Sequence, residues 1–282
     1  MEKIVQNSES TKETKELLQW LSPPDPSINL IKASKQRSKG SGSWFLNSKA
    51  FHDWKVQRNS FLWLHGIPGC GKSVLSSTII NELREISSPN PGLVLYFYFD
   101  FNDTTKQTLD GMLRSLIKQL STNNQSGGQK HLKSLFDTCR NQSIRPTPKM
   151  LCDCFAEMLQ ELEQIWVVLD AMDECITKDE LLEWIESLHR PDSWQVDIHL
   201  LVTSRSEQSI QSALREWTET NTWVDIRSNL MQTENSDIRN YVSDAIADKN
   251  AWGPGWIRKP DSKHVKDRIV DELTRKANGM YV

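Results

Sequence analysis

The chain has 282 residues, 37% of them hydrophobic and 25% charged, with a net charge of −3. That is the balance of an ordinary globular protein long enough to bury a substantial core, with no basic excess to hold nucleic acid. No apolar run approaches the roughly 18 residues of a membrane helix, and the polar residues 1–15 carry no signal-peptide core, so a cytoplasmic chain with neither a membrane nor a nucleic-acid partner is expected.

Residues 1–16 are charged and polar and read as a frayed segment. Leu17, Leu18, Trp20 and Leu21 form a short apolar cluster, closed by Pro23, Pro24 and Pro26. Residues 32–43 are basic and rich in Gly and Ser and read as a loop, so 1–43 are taken as an N-terminal polar segment and linker. A helix is predicted over 47–56. A regular alternation then begins: strand 61–66, a helical pattern from Val74 to Ile86, and the aromatic strand 93–99. Leu109, Met112, Leu113, Leu116, Ile117 and Leu120 recur at amphipathic-helix spacing, and so do Leu151, Cys154, Phe155, Met158, Leu159 and Leu162. Strand 165–169, helix 181–188, strand 198–203 and a short strand 223–226 complete the series. Continuous apolar strands separated by helical crossovers predict an α/β fold with a five-stranded parallel sheet covered on both faces, over residues 44–227. Residues 228–282 read as a partial helical subdomain, with helices over 238–246 and 265–280 and a Trp252–Trp256 loop between them. The last helical pattern reaches Val282 without a cap, which marks the chain as a fragment or a short member of its class.

Five cysteines without framework spacing argue against a disulfide scaffold. Cys152 and Cys154 form a C-x-C pair with no further zinc ligands nearby, and Cys154 falls on an apolar stripe, so buried thiols are expected.

The chemistry concentrates at three strand ends. Gly66, Ile67, Pro68, Gly69, Cys70, Gly71, Lys72 and Ser73 fit the P-loop (Walker A) pattern G-x-x-x-x-G-K-S/T between a strand and a helix, which Val74 continues. The glycines let backbone N–H groups converge on phosphate oxygens, the helix N-terminus favours an anion, Lys72 adds a point charge, and Ser73 offers a hydroxyl to Mg²⁺. Lys72 is expected at the exposed mouth of this loop. Asp170 closes an apolar strand as a Walker B carboxylate for that metal. Asp173 and Glu174 follow as candidates to activate water, with the choice between them open. Arg205, just past the strand that ends at Thr203 and Ser204, can reach a γ-phosphate. Ser126, Gly127, Gly128 and Gln129 have the look of an ABC-transporter signature, but Ala171 rather than an acid follows Asp170, so a polar loop is expected there.

Taken together these motifs resemble the NACHT family of signal-transduction NTPases, of the STAND class related to AAA+ proteins. Leu169 to Glu174 is similar to the family's extended Walker B, and Leu201 to Arg205 to its sensor 1 strand. The lead-in residues Trp20–Pro23, Gly40–Leu46 and Ala50–Trp54 resemble those of fungal NLR-like proteins. Asp237–Tyr241 and Ala277–Met280 resemble the small helical subdomain. The resemblance implies strand order 5-1-4-3-2 and a slow nucleotide switch in an innate-immune or incompatibility receptor. It implies Mg²⁺ with ATP/ADP as the first choice and GTP/GDP as the second, and a monomeric chain that self-assembles with nucleotide only in a longer context. By family role Lys72 and Ser73 hold phosphate and metal, Asp170 the metal, and Arg205 the γ-phosphate. The sequence lacks the winged-helix domain and its sensing histidine. A scaffold that binds nucleotide without useful turnover is the alternative; a P-loop kinase is disfavoured by the doubled acids.

Overall fold

The computed structural model describes residues 2–38, 40–86, 93–123, 128–189, 194–216, 218, 222–226, 228, 236–247 and 262–277. Five parallel strands, β1 (Phe61–His65), β2 (Leu93–Tyr98), β3 (Gln164–Asp170), β4 (Asp197–Ser204) and β5 (Trp223–Asp225), form one sheet. Its order is β2-β3-β4-β1-β5, which read from the other edge is the expected 5-1-4-3-2. Register aligns Leu169 with Val202 and Leu64 with Thr203, so β1, β3 and β4 end side by side.

Because both faces are covered, successive strand residues enter different cores. Phe61, Trp63, Val167 and Leu169 point into one core, together with α6 (Leu109–Ser121), α8 (Pro148–Leu159) and α9 (Lys178–His189). Leu62, Leu64, Trp166 and Val168 point into the other, against α4 (Lys49–Val56) and α5 (Lys72–Ile86). Caps set several helix starts. Ser48, Thr108 and Thr147 each accept a backbone N–H from the first turn, and Pro148 opens α8 where its missing N–H costs nothing.

Four helices depart from the sequence expectation. The polar N-terminus is α1 (Glu2–Leu21), whose Leu17 and Leu21 are buried and whose Trp20 meets Phe136 edge-on at 5.1 Å. Residues 32–35 of the expected loop belong to α2 (Ser27–Lys35), which buries only Leu30 and Ala33. Gly128 and Gln129, placed in a polar loop, open α7 (Gly128–Gln142), which buries Leu132, Leu135 and Cys139; Ser126 and Gly127 lie outside the described residues. Between β4 and β5 lies α10 (Gln208–Arg215), resting on Ile210 and Leu214. Each of these has a thin apolar stripe among charges, and packing supplies what propensity does not. A short helix, α3 (Ser43–Leu46), precedes α4. The C-terminal helices are α11 (Ser236–Ala247) and α12 (Ser262–Ala277). Residues 252–256 and 278–282, expected as a loop and as the end of the last helix, lie outside the described residues.

The cysteines are free thiols. Burial pushes Cys154 up to about 12 and Cys152 up to about 11, so neither is a reactive thiolate. Among the described residues no cluster of His, Cys, Asp and Glu could hold a metal, and no helix is long and apolar enough to cross a membrane.

Candidate functional site

The loop from β1 to α5 needs its glycines. Gly69 and Gly71 have φ of 75° and 86°, left-handed values that L side chains rarely adopt. A Cβ on Gly66 would lie 2.7 Å from Cys70 Sγ. Cys70 is buried beneath the loop, and Pro68 and Gly69 are exposed. Lys72 is half-buried rather than at an exposed mouth. Its Nζ donates to the carbonyls of Gly66 and Ile67 at 2.9 and 3.0 Å, which draws the ammonium back over the loop.

Ser73 lies in the first turn of α5 and its hydroxyl donates to Asp170 Oδ2 at 2.6 Å, across 97 residues of sequence. The other carboxylate oxygen, Oδ1, accepts from Ser76 Oγ and Thr203 Oγ1, both at 2.7 Å. Asp170 is 2% exposed. Burial pushes its pKa up, against the pull of the three hydroxyls and of Lys72. The neighbouring Tyr98 hydroxyl is buried without a partner among the described residues.

Ala171 turns the chain sharply after β3, with φ 59° and ψ 45°, and its N–H donates to Thr203 Oγ1 at 3.0 Å. That turn brings the Met172–Glu174 3-10 segment back along the strand ends. Asp173 accepts the Arg205 backbone N–H at 3.0 Å and lies 3.2 Å from Arg205 Nε. Glu174 accepts the Phe101 N–H at 2.8 Å.

Pro68 to Val74, Ala171, Asp173, Glu174 and Arg205 line a cleft of about 470 Å³ together with Gln36, Ser41, Trp44 and Thr78. Ile226, Asp237 and Tyr241 close it from the C-terminal side. The P-loop, Asp173, Glu174 and Arg205 are thus gathered at one end. Asp170 lies just behind them through Ser73. Sequence reasoning missed Ser76, Ser41, Trp44 and Asp237 as parts of the site. Ser76 was findable, since a serine one turn after Ser73 faces the same strand. Asp237 was not: it accepts the Gly42 N–H at 2.7 Å across 195 residues.

Comparison with known proteins places these motifs in a family. The family model described as Nephrocystin 3, N-terminal, matches residues 40–205, a span that runs from the lead-in to Arg205. The vegetative incompatibility protein HET-E-1 of Podospora anserina is 28% identical over 251 residues, covering 86% of this chain. The match spans only 17% of the length of that relative. Among solved structures, the Aeropyrum pernix ORC1 protein in complex with DNA aligns with a TM-score of 0.46 at 11% identity, over 86% of this chain and 62% of that one. Domain III of the Thermotoga maritima replication initiation protein DnaA aligns with a TM-score of 0.33 at 15% identity, over 90% of each chain. With its family match covering both the glycine loop and the acidic strand end, the chain belongs to the Nephrocystin 3, N-terminal, family and is, by family, a NACHT-type P-loop NTPase related to a fungal incompatibility protein.

Proposed function

We propose that the cleft binds a nucleoside triphosphate with Mg²⁺ and that the chain hydrolyses it slowly, as the switch module of an NLR-like innate-immune or incompatibility receptor. The observation that carries this reading is the 2.6 Å contact between Ser73 Oγ and Asp170 Oδ2, beside the Lys72 ammonium. An exposed hydroxyl and a carboxylate oxygen at that distance are a hard, all-oxygen pair suited to Mg²⁺, which keeps its remaining positions for water and phosphate. When bound, the ion neutralises charge on the phosphates. Ser73 and Asp170 are the residues to hold it.

The backbone of Gly66 to Val74 is the phosphate cradle, Lys72 the counter-charge, and Arg205 the contact to the terminal phosphate. Asp173 or Glu174 supplies the carboxylate that takes a proton from water. ATP is the first candidate and GTP the second. The receptor role rests on the likeness to the incompatibility protein, of which this chain matches a small part. Residues 44–227 are the nucleotide-binding domain, 1–43 its lead-in and 228–282 a helical subdomain. The chain is expected to be monomeric and its turnover slow, because a partner's arginine finger is worth about 10³–10⁵ in rate and Arg205 is the arginine lining the cleft among the described residues.

The test is a hydrolysis panel with ATP, GTP, CTP and UTP, with Mg²⁺ and with chelator, alongside direct binding measurements. Chelator-sensitive phosphate release from one purine nucleotide supports the reading. Tight binding with no release selects a non-hydrolysing scaffold, and absence of binding refutes both.

A further inference from the structure

Asp173 and Glu174 are neighbours in sequence but not in environment. The Asp173 side chain is 5% exposed and both its oxygens are engaged by one residue. Oδ1 accepts the Arg205 N–H and Oδ2 faces Arg205 Nε. Ser204 is the last residue of β4, so the sheet ladder no longer holds Arg205; Asp173 does. The Arg205 side chain is 52% exposed and lines the same cleft as the P-loop. A charged side chain with that freedom needs an anchor to keep one position, and an anionic partner on Nε leaves the far end of the fork for a ligand.

Glu174 is held differently. Only Oε2 is engaged, by the Phe101 N–H, and among the described residues Oε1 accepts no hydrogen bond. Burial raises its pKa, the Phe101 N–H opposes this, and the carboxylates of Asp173, Asp100 and Asp170 raise it further. A half-buried carboxylate with an open oxygen has a place for a water proton, whereas both Asp173 oxygens are already occupied by Arg205.

We propose that Asp173 is a positioning residue that sets Arg205 against the terminal phosphate, and that Glu174 alone activates water. This rests on the nucleotide reading above and divides its two acids. In the step itself, the water oxygen bonds to the γ-phosphorus as the bond from that phosphorus to the β–γ bridging oxygen breaks. The electron pair of the broken bond leaves on the diphosphate. The water proton passes to Glu174 Oε1 and from there to solvent.

The experiment uses the full chain and the nucleotide selected by the panel. Wild type, Asp173→Ala, Arg205→Ala, their double variant and Glu174→Gln are compared, with Asp173→Asn as a milder variant if the alanine does not fold. Two readouts are taken: the affinity ratio between a β,γ-imido triphosphate and the diphosphate, and single-turnover hydrolysis. Asp173→Ala and Arg205→Ala should each erase the triphosphate preference, leave diphosphate affinity unchanged and slow the single turnover about 100-fold. The double variant should lose no more than either single one, as expected for residues acting as one unit. Glu174→Gln should keep the triphosphate preference and lose about 10²–10⁴ in rate. If Asp173→Ala keeps the preference, or if the losses multiply in the double variant, the assignment is overturned while the nucleotide reading stands. If wild type binds without turnover, the affinity ratio alone decides whether Asp173 positions Arg205, and the role given to Glu174 is overturned. A wild type that binds no nucleotide overturns both.

Discussion

At the glycine-loop end of the cleft the acidic groups are held by partners from other elements. Asp170 on β3 receives hydroxyls from α5 and β4, Asp173 receives Arg205, and Glu174 receives the Phe101 N–H. The lead-in end is built sparsely. Gly42, in the left-handed conformation with φ 82°, donates to Asp237, and the buried Ser41 hydroxyl has no partner among the described residues. The contrast separates two kinds of work. Groups fixed before a ligand arrives cost no reorganisation when charge develops, which suits phosphate chemistry. A buried hydroxyl with unused capacity costs about 1–3 kcal/mol until something bonds to it, which suits recognition of the rest of the ligand.

The comparison breaks most visibly at Lys72. Lys72→Ala should abolish triphosphate binding with the fold intact, so thermal unfolding should lose the stabilisation of about 2.7 kcal/mol expected of wild type at 100 times Kd. An equal nucleotide-induced shift in the variant would remove the glycine-loop end from the account. Next comes Asp170→Asn, which keeps one acceptor oxygen for the surrounding hydroxyls but removes the charge. Mg²⁺-dependent affinity should fall at least tenfold, about 1.4 kcal/mol, while affinity measured in chelator stays the same; titration with and without Mg²⁺ checks this.

Smaller effects are expected at the lead-in end. Ser41→Ala should stabilise the ligand-free chain by about 1 kcal/mol in urea unfolding, by removing an unsatisfied buried hydroxyl, and should weaken nucleotide binding. A destabilised variant with wild-type affinity would show that this hydroxyl is satisfied and not a ligand contact. Asp237 is pushed up by burial, against the pull of the Gly42 N–H and Arg37. A carboxyl whose folded pKa lies above its unfolded value of about 3.9 binds its proton more tightly when folded. Its contribution is therefore fully present below that value and is lost as pH rises through the folded pKa. Asp237→Asn, which retains an oxygen for Gly42, should be more stable than wild type at pH 7. That advantage should vanish as pH falls towards 4, and unfolding curves across that range measure it. An advantage that grows as pH falls would mean that the charged form is the favoured one.

Where the sequence was legible, the signal was local. All five strands and the helices α4, α5, α6, α8 and α9 announce themselves by continuous apolar runs or strong amphipathic spacing. The glycine loop is a contiguous pattern whose φ requirements belong to its own residues, with Gly69 and Gly71 as examples. The strand-end acid Asp170 is readable because a carboxylate after five apolar residues has few other uses. The hidden helices are those with sparse stripes, such as α2 and α10. Each buries two residues, too few to stand out among charges until a neighbouring surface covers them.

By itself the sequence determined the succession of strands and helical crossovers along the chain, the glycine loop and the presence of three acids and an arginine near strand ends. These depend on residue type and spacing, and short-range backbone geometry follows from those. Only the tertiary structure decided which acid meets which partner. Asp173 and Glu174 are adjacent in the chain, yet the left-handed turn at Ala171 sends one to Arg205 just past β4 and the other to Phe101 after β2. The same holds for Gly42 and Asp237, which meet across 195 residues. A hydrogen bond or an ion pair is set by distances of a few ångströms in space, and no spacing along the chain encodes those distances until the sheet has brought the strand ends together.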